Sequence, residues 1–278
     1  MNINIIENNP ALWLAKLPRP KEHSNKFTCG HALVVGGYPL TGAGRLAAKA
    51  AARAGAGLIT VVVPEIAFPI YASSLTSVMV KPISNIEDFK LILNDQRISA
   101  FLLGPGAGVS SETKHYALSI LHTKKPCVLD ADAITVFTKD VTQLKSAIIG
   151  PCVMTPHEGE FDHVFETSQD RIADSIRAAS ESGAIVVLKG SKTVIASPDG
   201  KVVINRNAPP TLATAGSGDI LAGIITGLLA QGMEPYLAAA AGVWLHGEAA
   251  NLFGVGLIAD DLPDMLPSVL AKLYANKI

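Results

Sequence analysis

Only three of the 278 residues are cysteine, and Cys29, Cys127 and Cys152 show neither metal-site spacing nor a paired framework. They read as structural thiols in a reducing compartment. Charge is also scarce: 17% of residues are Asp, Glu, Lys or Arg, and the net charge is −1. With no basic excess to follow a nucleic-acid backbone or settle on an anionic membrane, neither partner is expected and a small molecule is. No apolar run approaches the ~20 residues of a membrane helix; Ile220–Ala230 reaches about half that length and is interrupted by glycine. The opening MNINIIENNPALWLAKLPRP lacks a basic segment followed by an apolar one, so no signal peptide is read and a cytoplasmic protein is expected. Linkers, repeats and low-complexity tracts are missing too, apart from alanine enrichment at 43–56 and 238–241 that permits close helix packing. One domain over residues 1–278 is expected, with 1–25 as an N-terminal arm. Pro10, Pro18 and Pro20 bar a continuous helix there, so the arm covers the core or contacts another subunit.

What is present is an alternation of buried strands and helices. His31–Val35 followed by Gly36-Gly37 reads as a strand, Ala43–Ala54 as an alanine-rich helix and Leu58–Val63 as the next strand, a βαβ unit. Further strands are predicted at Ala100–Leu103, Cys127–Leu129, Cys152–Met154 and Ala184–Leu188, with helices such as Thr113–Leu121 and Gln169–Glu181 between them. Thr193–Ala196 and Val202–Asn205 flank the turn Ser197-Pro-Asp-Gly200 and predict a hairpin, hence an antiparallel edge. Helices follow at Asp219–Ala230, Pro235–Phe253 and Leu262–Tyr274. The fold class is α/β with a central, mainly parallel sheet.

Open parallel sheets bind ligands beyond the carboxyl ends of their strands, where this chain places glycines and acids. After successive strands come Gly36-Gly37 with Gly42-Ala43-Gly44, then Gly104-Pro-Gly106-Ala-Gly108, Asp130-Ala-Asp132 and Thr155-Pro-His157-x-x-Glu160. Gly42-x-Gly44-x-x-Ala47 fits a dinucleotide fingerprint with Glu65 as the ribose acid, but Tyr38–Thr41 intervene between strand and first glycine, which spoils the pyrophosphate geometry. The plain alternative for Gly44 is helix–strand packing, and the loop before it reads as a substrate contact. Gly104–Gly108 reads as a close approach of backbone or ligand, or as a plain tight turn. His157 and Glu160 read as a local capping arrangement, or as a ligand contact with a carboxylate ordering a water-bound Mg²⁺. Asp130 and Asp132 suit either task or a helix cap. Lys189–Thr193 lacks the Walker spacing.

Thr211–Gly232 organises the rest. Ala215-Gly216-Ser217-Gly218 runs into an apolar helix whose free N–H groups attract anions, and glycine lets a phosphate approach the backbone. Asp219 is the exception, a carboxylate at an anion site, and is either an N-cap or an acid that acts on a proton.

Together, Gly36-Gly37, Gly104-Pro-Gly106, Asp130-Ala-Asp132, Thr155-Pro-His157-x-x-Glu160, Val187-Leu-Lys-Gly190 and Thr214-Ala-Gly-Ser-Gly-Asp219 resemble the ribokinase-like superfamily. More closely, they are similar to its NAD(P)H-hydrate dehydratase branch, from about residue 25 onward. Tyr38 stands where that branch commonly has serine, and Ala208-Pro-Pro-Thr211 replaces its usual N-P-G turn. The resemblance implies a three-layer α/β/α fold and nucleotide-dependent dehydration of hydrated NADH or NADPH, with ADP or ATP as co-substrate and Mg²⁺ as cofactor. It implies Asp219 as catalytic base, Ala43, Gly104, Gly106, His157 and Asp219 as substrate contacts, and Glu160 as a metal contact through water. Lys189, Gly190, Ser191, Lys192, Thr193, Ala215, Gly216, Ser217 and Gly218 would hold the nucleotide. A homo-oligomer such as a tetramer is expected, and an epimerase as a separate partner, because residues 1–25 are too short to hold one. The alternative activity is an ATP-dependent kinase of a small vitamin-like or sugar alcohol.

Overall fold

The short apolar runs become strands buried on both faces, as a sheet covered by crossover helices requires. The computed structural model describes residues 6–275; the first five residues of the expected arm lie outside them. The strands are β1 (Ile6–Glu7), β2 (His31–Val35), β3 (Leu58–Pro64), β4 (Met79–Ile83), β5 (Ala100–Leu103), β6 (Cys127–Leu129), β7 (Cys152–Met154), β8 (Ile185–Leu188), β9 (Thr193–Ala196) and β10 (Val202–Asn205). The helices are α1 (Thr41–Arg53), α2 (Phe68–Ser74), α3 (Ile86–Leu93), α4 (Ser111–His122), α5 (Asp132–Thr135), α6 (Val141–Ala147), α7 (Glu158–Val164), α8 (Arg171–Ser182), α9 (Ser217–Ala230), α10 (Pro235–Phe253) and α11 (Leu262–Ala275).

The sheet has ten strands in the order β1-β10-β9-β8-β7-β6-β5-β2-β3-β4. All neighbours are parallel except β8/β9 and β9/β10. The expected hairpin is present and supplies the antiparallel edge region, with the two-residue β1 pairing in parallel outside β10. The far edge, β4, was not expected. Pro82 lies inside it, and a residue without an N–H is tolerated only where one side of the strand is unpaired.

Alternate strand residues face opposite layers. Val34 points into one core with α1, α9, α10 and α11, whereas Leu33 and Val35 point into the other with α3, α4, α7 and α8. The alanines of α1 bring it against α9: a Cβ on Gly223 would lie 2.3 Å from the Ala47 carbonyl oxygen, and one on Gly227 2.5 Å from that of Ala51. The arm covers its own core. Trp13 is fully buried with its ring 5.6 Å from that of Trp244, and truncating such a side chain costs about 3–5 kcal/mol. No helix among the described residues is long and apolar enough to cross a membrane.

Candidate active site

The strand order turns back between β5 and β2, and at such a switch point the loops leaving adjacent strands diverge into a crevice. Here the two glycine loops meet backbone to backbone. A Cβ on Gly37 would lie 1.6 Å from the Gly106 carbonyl oxygen, and one on Gly106, whose φ is 66°, would lie 3.2 Å from Ala43 Cβ. Ala43, in the first turn of α1, and Gly106 therefore share one wall. Gly104 sits deeper, at φ 136°, where a Cβ would meet the Asp130 carbonyl oxygen at 1.7 Å. Of the two readings of Gly44, helix–strand packing is observed: a Cβ there would lie 3.0 Å from Gly36 Cα and 2.8 Å from the Tyr71 hydroxyl. Glu65 accepts from Ser84 Oγ at 2.7 Å on the far side of β3, which removes it from any ribose role in the crevice.

Beside the crevice the ends of β6, β7 and β8 bring four polar side chains together. Buried Asp130 accepts through one oxygen from Thr155 Oγ1 at 2.8 Å and from Lys189 Nζ at 2.8 Å. Lys189 Nζ lies 3.7 Å from Glu160 Oε2. Burial works against the Lys189 charge, yet Asp130, Glu160 and Asp219 outweigh it and hold its pKa above that of an ordinary lysine. Asp132 accepts from the Gly108 amide at 2.8 Å and so pins the second glycine loop. Neither Asp130 nor Asp132 is an N-cap: that position on α5 belongs to Ala131, held at φ 46°, where a side chain is disfavoured. Such strain concentrates at functional sites.

The anion end is built by α9. Gly216 is its N-cap at φ 88°, and the helical hydrogen-bond ladder starts only with Ile220 N donating to Gly216 O at 3.2 Å. The Gly218 and Asp219 amides thus lie ahead of the ladder at the positive end of the helix. Asp219 is a first-turn residue whose side chain makes no cap bond, so the N-cap reading falls away: the cap is Gly216. Burial pushes its carboxyl up to about 7; Asp130 adds to this, Lys189 opposes it, and Asp132 and Glu160 raise it further. An acid tuned near neutrality beside an anion site has the form of a proton acceptor.

From this point a cleft of about 750 Å³ opens away from the crevice. Its polar end holds His157, Lys189, Gly190, Ser191, Ser217 and Gly218, and its far wall is Ala208, Pro209, Pro210, Leu212, Leu221 and Val243. Gly218 meets nothing but Lys189 Nζ, 3.4 Å from a Cβ placed there, so its bareness leaves room for a ligand. Ser217 Oγ and buried His246 Nε2 are 3.1 Å apart, and burial pushes that histidine down to about 4, so it stays neutral. Arg171 ties the loop after β8 by donating to the carbonyls of Leu188 and Lys189 at 3.3 and 3.1 Å.

His157 and Glu160 form a reciprocal capping box on α7: Nδ1 of His157 accepts from the Glu160 amide at 3.1 Å, and Glu160 accepts from the His157 amide at 2.8 Å. The local capping reading is therefore present in full, and the exposed His157 ring also lines the cleft. Exposed Lys192 and Ala215 do not line it, and Gly216 shapes the turn. The apolar wall, His246 and Arg171 were not anticipated. Most of the wall comes from the segment after β10, whose Ala208-Pro-Pro-Thr211 departs from the family turn and carried no other signal, with Leu221 of α9 and Val243 of α10 completing it.

The family model for NAD(P)H-hydrate dehydratase matches residues 32–270. The ADP-dependent (S)-NAD(P)H-hydrate dehydratase of Neisseria meningitidis is 36% identical over 257 residues, covering 87% of this chain and 85% of that protein. The bifunctional NAD(P)H-hydrate repair enzyme Nnr of Moorella thermoacetica is 39% identical over 95% of this chain but 53% of its own length, so the chain spans about half of the bifunctional relatives. Among solved structures, the ADP/ATP-dependent NAD(P)H-hydrate dehydratase of Bacillus subtilis co-crystallised with ATP and Mg²⁺ superposes with a TM-score of 0.86 at 28% identity, covering 98% of this chain and 99% of that one. The three-layer architecture implied by the ribokinase-like resemblance is the one observed. The family model spans most of the chain and the Neisseria relative is matched over most of both sequences: the chain belongs to the NAD(P)H-hydrate dehydratase family.

Proposed function

We propose that this chain dehydrates the hydrated form of NADH or NADPH, bound in the crevice by Ala43 and Gly106, at the expense of an adenine nucleotide in the 750 Å³ cleft. One observation carries the reading: Asp219, pushed up to about 7, stands in the first turn of α9 directly after Ser217 and Gly218 of the cleft and within range of Asp130, Lys189 and Glu160. Hydroxide leaves poorly, so the ring hydroxyl is first made a phosphate ester. Asp219 takes the hydroxyl proton as that oxygen bonds to the terminal phosphorus, and the bond to the rest of the nucleotide breaks, releasing AMP from ADP. The Gly218 and Asp219 amides stabilise the charge on the transferred group. The ring nitrogen lone pair then expels phosphate, and loss of a ring proton restores the reduced dinucleotide.

The donor set suits a cation that arrives with the nucleotide. Among the described residues no group of three His, Cys, Asp or Glu side chains is placed to hold a metal ion. Mg²⁺ needs none, because it keeps several waters and takes one or two carboxylates plus phosphate oxygens. Glu160 would face its water shell, and the bound ion would offset negative charge on the phosphates. Its second oxygen is committed to the His157 amide, which fixes the orientation of the carboxylate. The ADP preference follows the Neisseria relative, whose name specifies ADP. An epimerase acting alongside is part of the same proposal, as is a cytoplasmic setting. The unmatched half of the bifunctional relatives would carry a second activity.

Hydrated NADH incubated with the protein, ADP and Mg²⁺ tests this, with NADH absorbance and free phosphate followed together. Both should rise in step. A stable phosphorylated product of a small alcohol, without restored NADH, would replace the dehydratase by a kinase.

A further inference from the structure

The apolar wall of the cleft hangs from a chain of amides that begins in the N-terminal arm. Trp13 Nε1 donates to Asn8 Oδ1 at 3.2 Å, and Asn8 Nδ2 donates to Asn205 Oδ1 at 2.9 Å and to the Ala240 carbonyl at 2.7 Å. Asn205 Nδ2 donates to Asn207 Oδ1 at 2.7 Å, and Asn207 Nδ2 to the Trp244 carbonyl at 2.9 Å. Every amide accepts at its oxygen and donates at its nitrogen, so the whole series runs in one sense from the indole to α10. Asn205 is fully buried and Asn8 4% exposed, which makes an unmet donor or acceptor at either costly.

Its placement links it to the cleft. β10 ends at Asn205; Asn207 follows at once, and Ala208–Pro210 begin the wall. With no strand to hold that segment, Asn207 docks it on α10. Gly247 permits the contact, since a Cβ there would lie 2.3 Å from Asn207 Oδ1, and Asn251 Nδ2 clamps the Asn207 carbonyl at 2.7 Å. His246, next to Gly247, holds Ser217 at the anion end. One helix therefore fixes both ends of the cleft.

We infer that Asn8, through Asn205 and Asn207, is a positioning residue for nucleotide binding, so that the arm sets the apolar wall without touching the ligand. The inference rests on the reading of the 750 Å³ cleft as the nucleotide site.

Asn8→Asp tests it: the volume is kept, but an acceptor replaces the donor that faces Asn205 Oδ1 and the Ala240 carbonyl. Expected is a rise in KM and calorimetric Kd for ADP of about tenfold, with kcat at saturating ADP and KM for the hydrated dinucleotide within about twofold of wild type. Trp13→Phe, which removes the indole donor together with part of the buried ring, should shift ADP binding the same way by less, along with a loss of thermal stability. Asn251 is exposed, so Asn251→Ala serves if Asn8→Asp does not fold; a rise of about threefold in ADP KM without loss of thermal stability is expected. An Asn8→Asp protein with a lowered Tm and unchanged ADP affinity, or in its place an unchanged ADP KM in Asn251→Ala, would overturn the inference and leave the chain of amides as a fold contact. Wild type that binds no adenine nucleotide would instead defeat the reading of the cleft.

Discussion

Lys189 Nζ, which lines the cleft, lies 2.8 Å from Asp130 Oδ1. The ammonium thus faces the rim acids, with Asp130 and Glu160 on one side and Asp219 within range of its charge. Lys189 was expected along the nucleotide. Its position supports a second task, lowering the mutual repulsion of the acids on this rim.

Asp219→Asn should leave ADP affinity near wild type while lowering turnover by about 10²-fold or more, the usual loss when a general base is removed. Calorimetry and steady-state rates on the same preparation check both halves. Near-normal turnover in a folded mutant would strip Asp219 of its role.

In wild type, kcat/KM should rise with pH through about 7, because the carboxylate form of Asp219 takes the proton. Stability should move the other way. The folded chain holds this proton up to about 7, whereas the unfolded chain loses it near 3.8, so the folded state binds more protons between those values. The contribution of Asp219 is full below 3.8 and lost as pH climbs through about 7. Asn resembles the protonated form at every pH. The Tm advantage of Asp219→Asn over wild type should therefore be larger at about pH 8.5 than at about pH 5, and thermal melts at the two pH values measure it.

Asp130→Asn removes a negative neighbour of Asp219 and releases Lys189 toward the remaining acids. Both changes ease ionisation of Asp219, so the rising limb of the pH–rate profile should move to lower pH, by at least about half a unit. A loss of rate with an unmoved limb would make Asp130 a purely structural residue.

Gly216 and Gly218 should respond differently to a side chain. Gly216→Ala places a Cβ at φ 88° and 2.8 Å from Leu46 Cδ1, so it should destabilise the fold by about 1 kcal/mol or more. A Cβ on Gly218 would meet only the tip of Lys189, so the Tm of Gly218→Val should hold better than that of Gly216→Ala while ADP binding weakens at least about tenfold through blocked phosphate approach. Parallel melts and titrations separate the two.

Glu160→Gln keeps the α7 cap, since a glutamine oxygen also accepts from the His157 amide. Its Mg²⁺ requirement should nonetheless shift upward, with slower turnover. His157→Ala should lose the reciprocal cap and, because the ring lines the nucleotide cleft, raise KM for ADP more than for the hydrated dinucleotide. Mg²⁺ titrations that superimpose for wild type and Glu160→Gln would leave only the capping role.

Much of this was legible in the chain itself. Residues of type and spacing alone mark β2, β3, β5–β10 and the helices bearing the site, because burial on both faces leaves apolar runs and a helix start leaves caps. β4 escaped because Pro82 reads as a break and an edge strand has one solvated side. β1 escaped because two residues carry no period. The glycine loops were also visible as unusual, although their reason, Gly37 against Gly106 and Gly104 against Asp130, is a contact between distant strand ends.

The amino-acid sequence by itself determined the layers, the rim on which acids and glycines gather, and Asp219 as the residue in question. Tertiary structure alone decided that Gly216 is the cap, that Lys189 turns inward to Asp130, and that an asparagine of the arm supports the cleft wall. Local signals report what a residue does to its own helix or strand. The pKa of Asp219 and the position of Asn207 depend on side chains from separate elements, and only folding sets those distances.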